Sequence, residues 1–170
     1  GIFLLNNGGN TIAGNFIGPN VQPTAPGPHG AFAITGVQIA SSSPANVVGG
    51  LAAADRNVIA GTSNGITNNV GINIASAGNQ VLGNLIGTNA AGSAALANDH
   101  GIVLNLGGAD NNTIGGTTAS ARNVISGNRL DGISMNNNGN GSQGSFVGVE
   151  AAGVAGSDNG NVGMTAGGRD

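Results

Sequence analysis

The chain contains no cysteine, no tryptophan and no tyrosine, and Arg56, Arg122, Arg129 and Arg169 account for all four basic residues, so there is no lysine either. Without cysteine there is no disulfide framework, no thiolate zinc cluster and no redox guide to compartment. Charged residues make up 6% of the chain and the net charge is −3, so no cluster of positive charge exists to displace counterions. Nucleic acid and an anionic membrane surface are therefore not expected partners. With no Trp or Tyr and only four Phe, the ring-stacking platform typical of sugar binding is missing. No apolar run approaches the ~20 residues that a membrane helix requires, which argues against membrane insertion. Gly1 to Leu5 carry neither a basic leader nor a long apolar stretch. Any secretion signal is expected to have been removed or to lie upstream, and the opening inside a repeat-like phrase suggests a mature or excised segment.

What the chain has is glycine, 34 residues, and asparagine, 26 residues. A disordered polar tract usually combines high net charge with few branched apolar residues, whereas here Val, Ile and Leu recur at regular intervals. The recurrence is a repeat. Asn46-Val47-Val48-Gly49-Gly50, then Arg56-Asn57-Val58-Ile59 and Gly61, returns 66 residues later as Asn112-Thr113-Ile114-Gly115-Gly116, Arg122-Asn123-Val124-Ile125 and Gly127. A second phrase, Gly71-Ile72-Asn73-Ile74 with Asn79, Gly83 and Leu85-Ile86-Gly87, returns 61 residues on as Gly132-Ile133-Ser134-Met135, Asn140, Gly144 and Phe146-Val147-Gly148. Asn98 matches Asn159 in the same comparison, and Gly1 to Gly18 is an earlier copy of this phrase.

Each phrase holds three short apolar-x-apolar clusters, the period-2 signature of a strand with one buried face. This predicts an all-β fold, a right-handed parallel β-helix (β-solenoid) of about five to six coils with three short strands per coil, in a single unit over 1–170. The strand triplets are 2–4/10–12/15–17, 37–39/46–48/57–59, 72–74/80–82/84–86, 102–104/112–114/123–125 and 133–135/142–143/145–147, with a partial sixth beginning at Asn161-Val162-Gly163-Met164. Helices are not expected, because apolar spacing at i, i+3, i+4, i+7 is nowhere sustained. Ile74, Leu104, Ile114, Ile125 and Ile133 are predicted to share one core. The loops 18–30, 49–56, 88–100, 115–121 and 149–160 are predicted to protrude. Gly and Asn accept the left-handed conformations that corners need. Asn repeated at one coil position, as in Asn57 and Asn123 or Asn15 and Asn84, can stack into amide ladders.

The phrases Gly-Ile-x-Ile, Asn79 to Thr88 and Asn112 to Asn128 resemble the parallel β-helix repeat family of bacterial secreted and cell-surface proteins, and together the repeat phrases cover nearly the whole chain. The resemblance implies an extracellular or cell-surface location. Coils of this kind occur in polysaccharide lyases, epimerases, adhesins and phage tailspikes, so the likeness points to a fold far more than to a function. In such enzymes it implies a groove lined with acidic, basic or aromatic groups, and this chain has few of each.

The candidate sites divide accordingly. Arg56 and Arg122 could hold a substrate carboxylate, but their recurrence at one repeat position favours anchoring a loop through backbone carbonyls. Asp99-His100 could begin an acid–base pair, yet His29 stands at the matching place, and both histidine sites are expected to be surface loop. Asp110, Asp131, Glu150 and Asp158 are scattered and offer no calcium cage. Gly49-Gly50 and Gly115-Gly116 read as turns, and Asn111-Asn112-Thr113 and Asn140-Gly141-Ser142 as chance matches to a glycosylation pattern. Phe16 and Phe146 occupy equivalent strands and are expected to fill the core, with Phe3 and Phe32 the other aromatics. Thr117-Thr118 and Ser41-Ser42-Ser43 offer hydroxyls, but no Thr-x-Thr row repeats from coil to coil. No catalytic, cofactor or metal residue is assigned. The expected function is a structural extracellular solenoid, scaffold-like, adhesin-like or fibre-forming by end-to-end stacking, with self-association through the terminal coils as the expected partnership and glycans as a further candidate partner. The alternative is a carbohydrate-active or glycan-binding β-helix with its site in loops such as 19–30 or 88–100.

Overall fold

The computed structural model describes residues 1–18, 35–63, 68–104, 107–149 and 158–166. The apolar clusters form strands three to a coil, wound as a right-handed parallel β-helix, the hand that a twisted strand feeding a parallel crossover adopts. Sheet A stacks β1 (Ile2–Asn6), β4 (Thr35–Ser42), β7 (Val70–Ile74), β10 (His100–Leu104), β13 (Ile133–Met135) and β16 (Met164–Ala166). Sheet B stacks β2 (Thr11–Ile12), β5 (Val47–Gly49), β8 (Gln80–Leu82), β11 (Thr113–Gly115) and β14 (Gly141–Gln143). Sheet C stacks β3 (Phe16–Ile17), β6 (Val58–Ile59), β9 (Leu85–Ile86), β12 (Val124–Ile125) and β15 (Phe146–Val147).

Register turns the repeat into a core of like residues. One row runs Ile2, Val37, Ile72, Ile102, Ile133, Met164 through sheet A. Sheet B contributes Ile12, Val48, Val81, Ile114 and then Ser142, and sheet C contributes Ile17, Ile59, Ile86, Ile125 and Val147. Ile74, Leu104, Ile114, Ile125 and Ile133 are fully buried in this single cluster, as the alternation predicts. Each such side chain contributes roughly 1.5–3 kcal/mol of burial.

Sheets B and C begin one residue later than most predicted triplets, because in all of these but 145–147 the residue counted as the first of the cluster is an asparagine with a different task. Asn10, Asn46, Asn79, Asn112 and Asn140 form one column ahead of sheet B. Each Nδ2 donates to the next Oδ1, at 2.8, 2.9, 2.9 and 3.1 Å. The backbone N–H of each of the first four donates to the same oxygen, at 3.0, 2.9, 2.7 and 2.8 Å. Asn15, Asn57, Asn84 and Asn123 repeat the arrangement ahead of sheet C, their amides bonded at 3.1, 2.9 and 3.1 Å. The column ahead of sheet C is the one the sequence pointed to, and it unites the pairs Asn57/Asn123 and Asn15/Asn84 in a single ladder. The column ahead of sheet B was not anticipated, and neither was a third: at the corner from sheet C to sheet A, the Thr62 hydroxyl donates to Asn98 Oδ1 at 2.9 Å, Asn98 to Asn128 at 3.1 Å and Asn128 to Asn159 at 2.9 Å. Gly71, which opens the inward turn of sheet A, has no room for a side chain: a Cβ there would lie 2.7 Å from the Gly101 carbonyl and 2.9 Å from Asn98 Nδ2. That close approach explains the glycine before each Ile-x-Ile phrase.

As expected, no α-helix occurs among the described residues; two single 3-10 turns, Ala53–Asp55 and Ala119–Ala121, sit at the same corner in coils two and four. The turns form because Asp55 accepts the Ala52 N–H at 3.0 Å and the Thr118 hydroxyl accepts the Ala121 N–H at 3.3 Å. Two other expectations are corrected. Phe16 and Phe146 do not fill the core. Alternation sends Ile17 and Val147 inward, leaving Phe16 exposed and Phe146 half-buried beneath the Arg122 guanidinium, 4.3 Å from its ring centre. Nor does all of 88–100 protrude. Its tip is exposed, but Thr88 bridges back to Ala95, and Leu96 is buried over the outward row Val58, Leu85 and Val124 as a second apolar cluster. Residues 51–54 and 117–120 are exposed as predicted. Most of 18–30 and 149–160, with His29, Phe32 and Glu150, lies outside the described residues. The partial sixth coil is present as β16, paired with β13.

Replacing Ile114 with Asp places a carboxylate among stacked aliphatics, and the expected loss is about 4 kcal/mol or outright unfolding in a urea titration. Asn84→Ala strands the Asn57 N–H and Nδ2 donors and the Val48 and Leu82 carbonyls. It should cost about 3 kcal/mol. The exposed Asn136 replaced by Ala should change stability by less than about 0.5 kcal/mol in the same assay.

Candidate functional site

Among the described residues, both ion pairs lie at the corner from sheet C to sheet A, beside the third ladder. Stacking the rungs Thr62, Asn98 and Asn128 places the residues that follow them, Ser63, Asp99 and Arg129, in a column of their own. Asp99 is fully buried. Its Oδ1 accepts from Arg129 Nε at 2.7 Å and from the Ser63 hydroxyl, and its Oδ2 accepts the Asn69 N–H at 2.9 Å. One carboxylate thus holds both ends of the segment from Ser63 to Asn69 and ties it to Arg129 in the coil above. The expectation that the Asp99-His100 site is surface loop is therefore wrong: Asp99 is buried and the partly buried His100 opens β10, while the matching His29 lies outside the described residues. The ladder beside Asp99 and the ion pair across it carry that residue into the wall.

Burial pushes the Asp99 carboxyl pKa up, but the bonds from Arg129, Ser63 and Asn69 outweigh it and leave the pKa below its ordinary value. The acid–base pair with its sequence neighbour does not form. Successive residues at the start of β10 point apart, and His100 Nδ1 instead lies 3.4 Å from Asp131 Oδ2, without the alignment of a hydrogen bond. Asp131 is itself held in place, its Oδ1 accepting from Asn161 Nδ2 at 2.7 Å and from the Val162 N–H at 3.3 Å.

The remaining candidates bond the frame. Arg56 Nε donates to the Gly83 carbonyl at 3.1 Å and Arg122 Nε to the Gly144 carbonyl at 2.8 Å. Each arginine therefore anchors backbone, as its recurrence predicted, although the carbonyl belongs to the next coil and not to its own Gly-Gly loop. Gly50, in the first Gly-Gly turn, donates its N–H to the Leu82 carbonyl at 3.0 Å. Asp110 Oδ1 accepts the Asn138 N–H at 3.0 Å. Ser42 and Ser43 donate to the Leu5 and Asn7 carbonyls. Of the two glycosylation-pattern asparagines, Asn111 is exposed at a left-handed φ of 53°, whereas Asn140 is a ladder rung. Asp158 is exposed.

Among the described residues no three His, Cys, Asp or Glu converge as metal ligands. No helix among them is long and apolar enough to cross a membrane. What the corner can do chemically is hold charge and fix backbone. The signal that could have found it is the match of Asn98 with Asn159, extended to Asn128 and Thr62. Unequal spacings of 36, 30 and 31 residues hid it. Comparison with protein-family models, with curated proteins and with solved structures gave no match.

Asp99→Asn gives a pH-dependent test. Because the folded-state pKa is lowered, the stabilisation is fully present above the unfolded value of 3.8 and is lost as pH falls through the folded value. The native chain should therefore lose stability on acidification below about pH 4 more steeply than Asp99→Asn, whose curve lacks this contribution. Thermal melts from neutral pH downward check it. Parallel curves would show that Asp99 is not the linked group.

Proposed function

We propose that the chain is a structural solenoid, a rigid extracellular or cell-surface scaffold of adhesin-like or fibre-forming type whose coils stack end to end. The observation that carries this reading is the destination of its polar side chains. The recurrent asparagines, Arg56, Arg122 and the Asp99–Arg129 pair all bond from one coil to the next. A catalytic or sugar-binding groove needs polar groups aimed at a ligand, and among the described residues Asp99, Arg56, Arg122, Arg129 and the ladder asparagines are engaged along the axis. The extracellular placement rests on the likeness of the repeat to bacterial secreted and cell-surface β-helices.

Ladder direction supports axial growth. The amide-to-amide bonds all run one way, Nδ2 of one coil to Oδ1 of the next, so the first described coil presents the Asn10 and Asn15 oxygens as acceptors. A coil set before it with donors at the same corners continues the pattern, which is a head-to-tail contact that builds an open filament unless its rotation closes a ring. Sedimentation of the 170-residue chain over a range of concentrations, with electron microscopy of the same samples, tests the stacking. Concentration-dependent rods are the expected result, and a monomer at every concentration removes the filament. A panel of polysaccharides assayed for new reducing or unsaturated ends tests the structural role separately, and turnover of any of them overturns it.

A further inference from the structure

Two asparagines stand in the Asn-x-Ser/Thr pattern that N-linked glycosylation recognises, Asn111-Asn112-Thr113 and Asn140-Gly141-Ser142, and the coil treats them oppositely. We propose that Asn111 is an acceptor for an N-linked glycan, and that its place in the coil excludes Asn140 from the same modification. Use of the site in a cell rests on the extracellular reading; acceptance of a glycan by the folded chain does not.

The corner ahead of sheet B makes the difference. The residue before each ladder asparagine has a positive φ in all five coils: Gly9 at 77°, Ala45 at 58°, Gly78 at 71°, Asn111 at 53° and Gly139 at 66°. In the first four the backbone N–H donates to a carbonyl of the next coil, so the corner is fixed through its backbone and needs nothing from the side chain. A side chain leaving this corner points outward, since a Cβ at Gly9 or Gly78 would meet no atom within 4 Å. Asparagine is among the residues that most readily take this conformation apart from glycine. Of the five, Asn111 alone puts a polar group there. Its side chain leans over Gly139, where a Cβ would collide with Asn111 Oδ1.

Alternation sets residues two apart on one side of the chain. Asn111 and Thr113 are both exposed, while Asn112 between them is a buried rung bonded to Asn79 and Asn140. Among the described residues neither the Asn111 carboxamide nor the Thr113 hydroxyl bonds another group. The second pattern is turned inward. Asn140 Nδ2 donates to the Ala109 carbonyl at 2.7 Å, its Oδ1 accepts from Asn112 twice, and Ser142 pairs with Ile114 in the core row of sheet B.

In the transfer, Asn111 Nδ2 bonds to the anomeric carbon of a sugar carried on a polyprenyl pyrophosphate. The carbon–oxygen bond to the pyrophosphate breaks and its electron pair leaves with the pyrophosphate, while Nδ2 gives one proton to a base of the transferase. No oxidant or reductant enters. An amide nitrogen is a weak nucleophile because its lone pair is delocalised into the carbonyl, so the enzyme must grip the carboxamide with its own groups. A carboxamide bonded at both ends in a ladder offers no such grip.

The test incubates the folded 170-residue chain with a purified oligosaccharyltransferase and a polyprenyl-pyrophosphate oligosaccharide, a short synthetic Asn-x-Thr peptide serving as the control for enzyme activity. Glycan release in heavy-oxygen water marks each occupied asparagine for peptide mapping by mass spectrometry. Asn111 should be occupied and Asn140 at least about tenfold less so, since a rung reacts only through local opening. Thr113→Val, on the exposed face of β11, should abolish occupancy at Asn111 and leave the circular dichroism spectrum unchanged, whereas Thr113→Ser should retain it. An unmodified Asn111 while the control peptide is glycosylated, equal occupancy of the two asparagines, or occupancy that survives Thr113→Val overturns the proposal. None of these outcomes depends on where the chain resides, which fractionation of the producing cell tests separately.

Discussion

A coil whose strands in sheets B and C are only two or three residues long must bend three times in every turn, and each bend aims a backbone N–H away from the parallel ladder. Left unpaired in the wall, such a donor costs about 1–3 kcal/mol, and the loss recurs at every coil. The asparagine columns remove it. Each Oδ1 accepts both the backbone N–H and the side-chain amide of the residue stacked below, as at Asn79, whose two donors reach Asn112 Oδ1 at 2.7 and 2.9 Å. Strand length, the position of each corner and the one-residue displacement of sheets B and C all follow from keeping those columns in line.

The columns also explain where the chain varies. Stacked rungs fix the two ends of each corner, so residues between them can be added without disturbing the coil. Coils two and four place a 3-10 turn at the corner from sheet B to sheet C, and the neighbouring coils have a short corner there. The longer loops bond the shorter ones: the Gly14 N–H donates to the Asp55 carbonyl at 3.0 Å and the Gly83 N–H to the Ala121 carbonyl at 3.1 Å. Arg56 and Arg122 reach the other way, to Gly83 and Gly144. The 66-residue period of the sequence is therefore a two-coil period of the structure, and the arginines recur at that interval because long and short corners alternate.

Sheets, core rows and one of the three ladders could be read from the sequence, because alternation and stacking act at fixed spacings and leave a periodic trace. Ile72 and Ile102 announce themselves by the glycine before them. The corner holding Asp99 could not be read so well. Its rungs are separated by loops of different length, and a threonine at position 62 stands where later coils have asparagine. Burial of Asp99 also depends on Arg129, a partner from another coil with no fixed offset. Phe16 and Phe146 misled for a simpler reason. In a two-residue strand the pattern does not say which residue faces in, and register with Ile59, Ile86 and Ile125 decides for Ile17 and Val147.

The same regularity bears on why chemistry is hard to place on this coil. A ladder is stable only if like residues repeat at its positions, so every corner given to asparagine is a position where a nucleophile, acid or base would break two sets of bonds, one above and one below. Variation is admitted between rungs, or one residue past them. Asp99 and Arg129 occupy such positions, and even there the charge pairs across coils and not outward. A coil built this way gains rigidity with each turn and gives up the freedom to aim polar groups at a ligand, so its capacity to act lies in the loops between rungs and at the faces where the ladders present unmatched acceptors or donors.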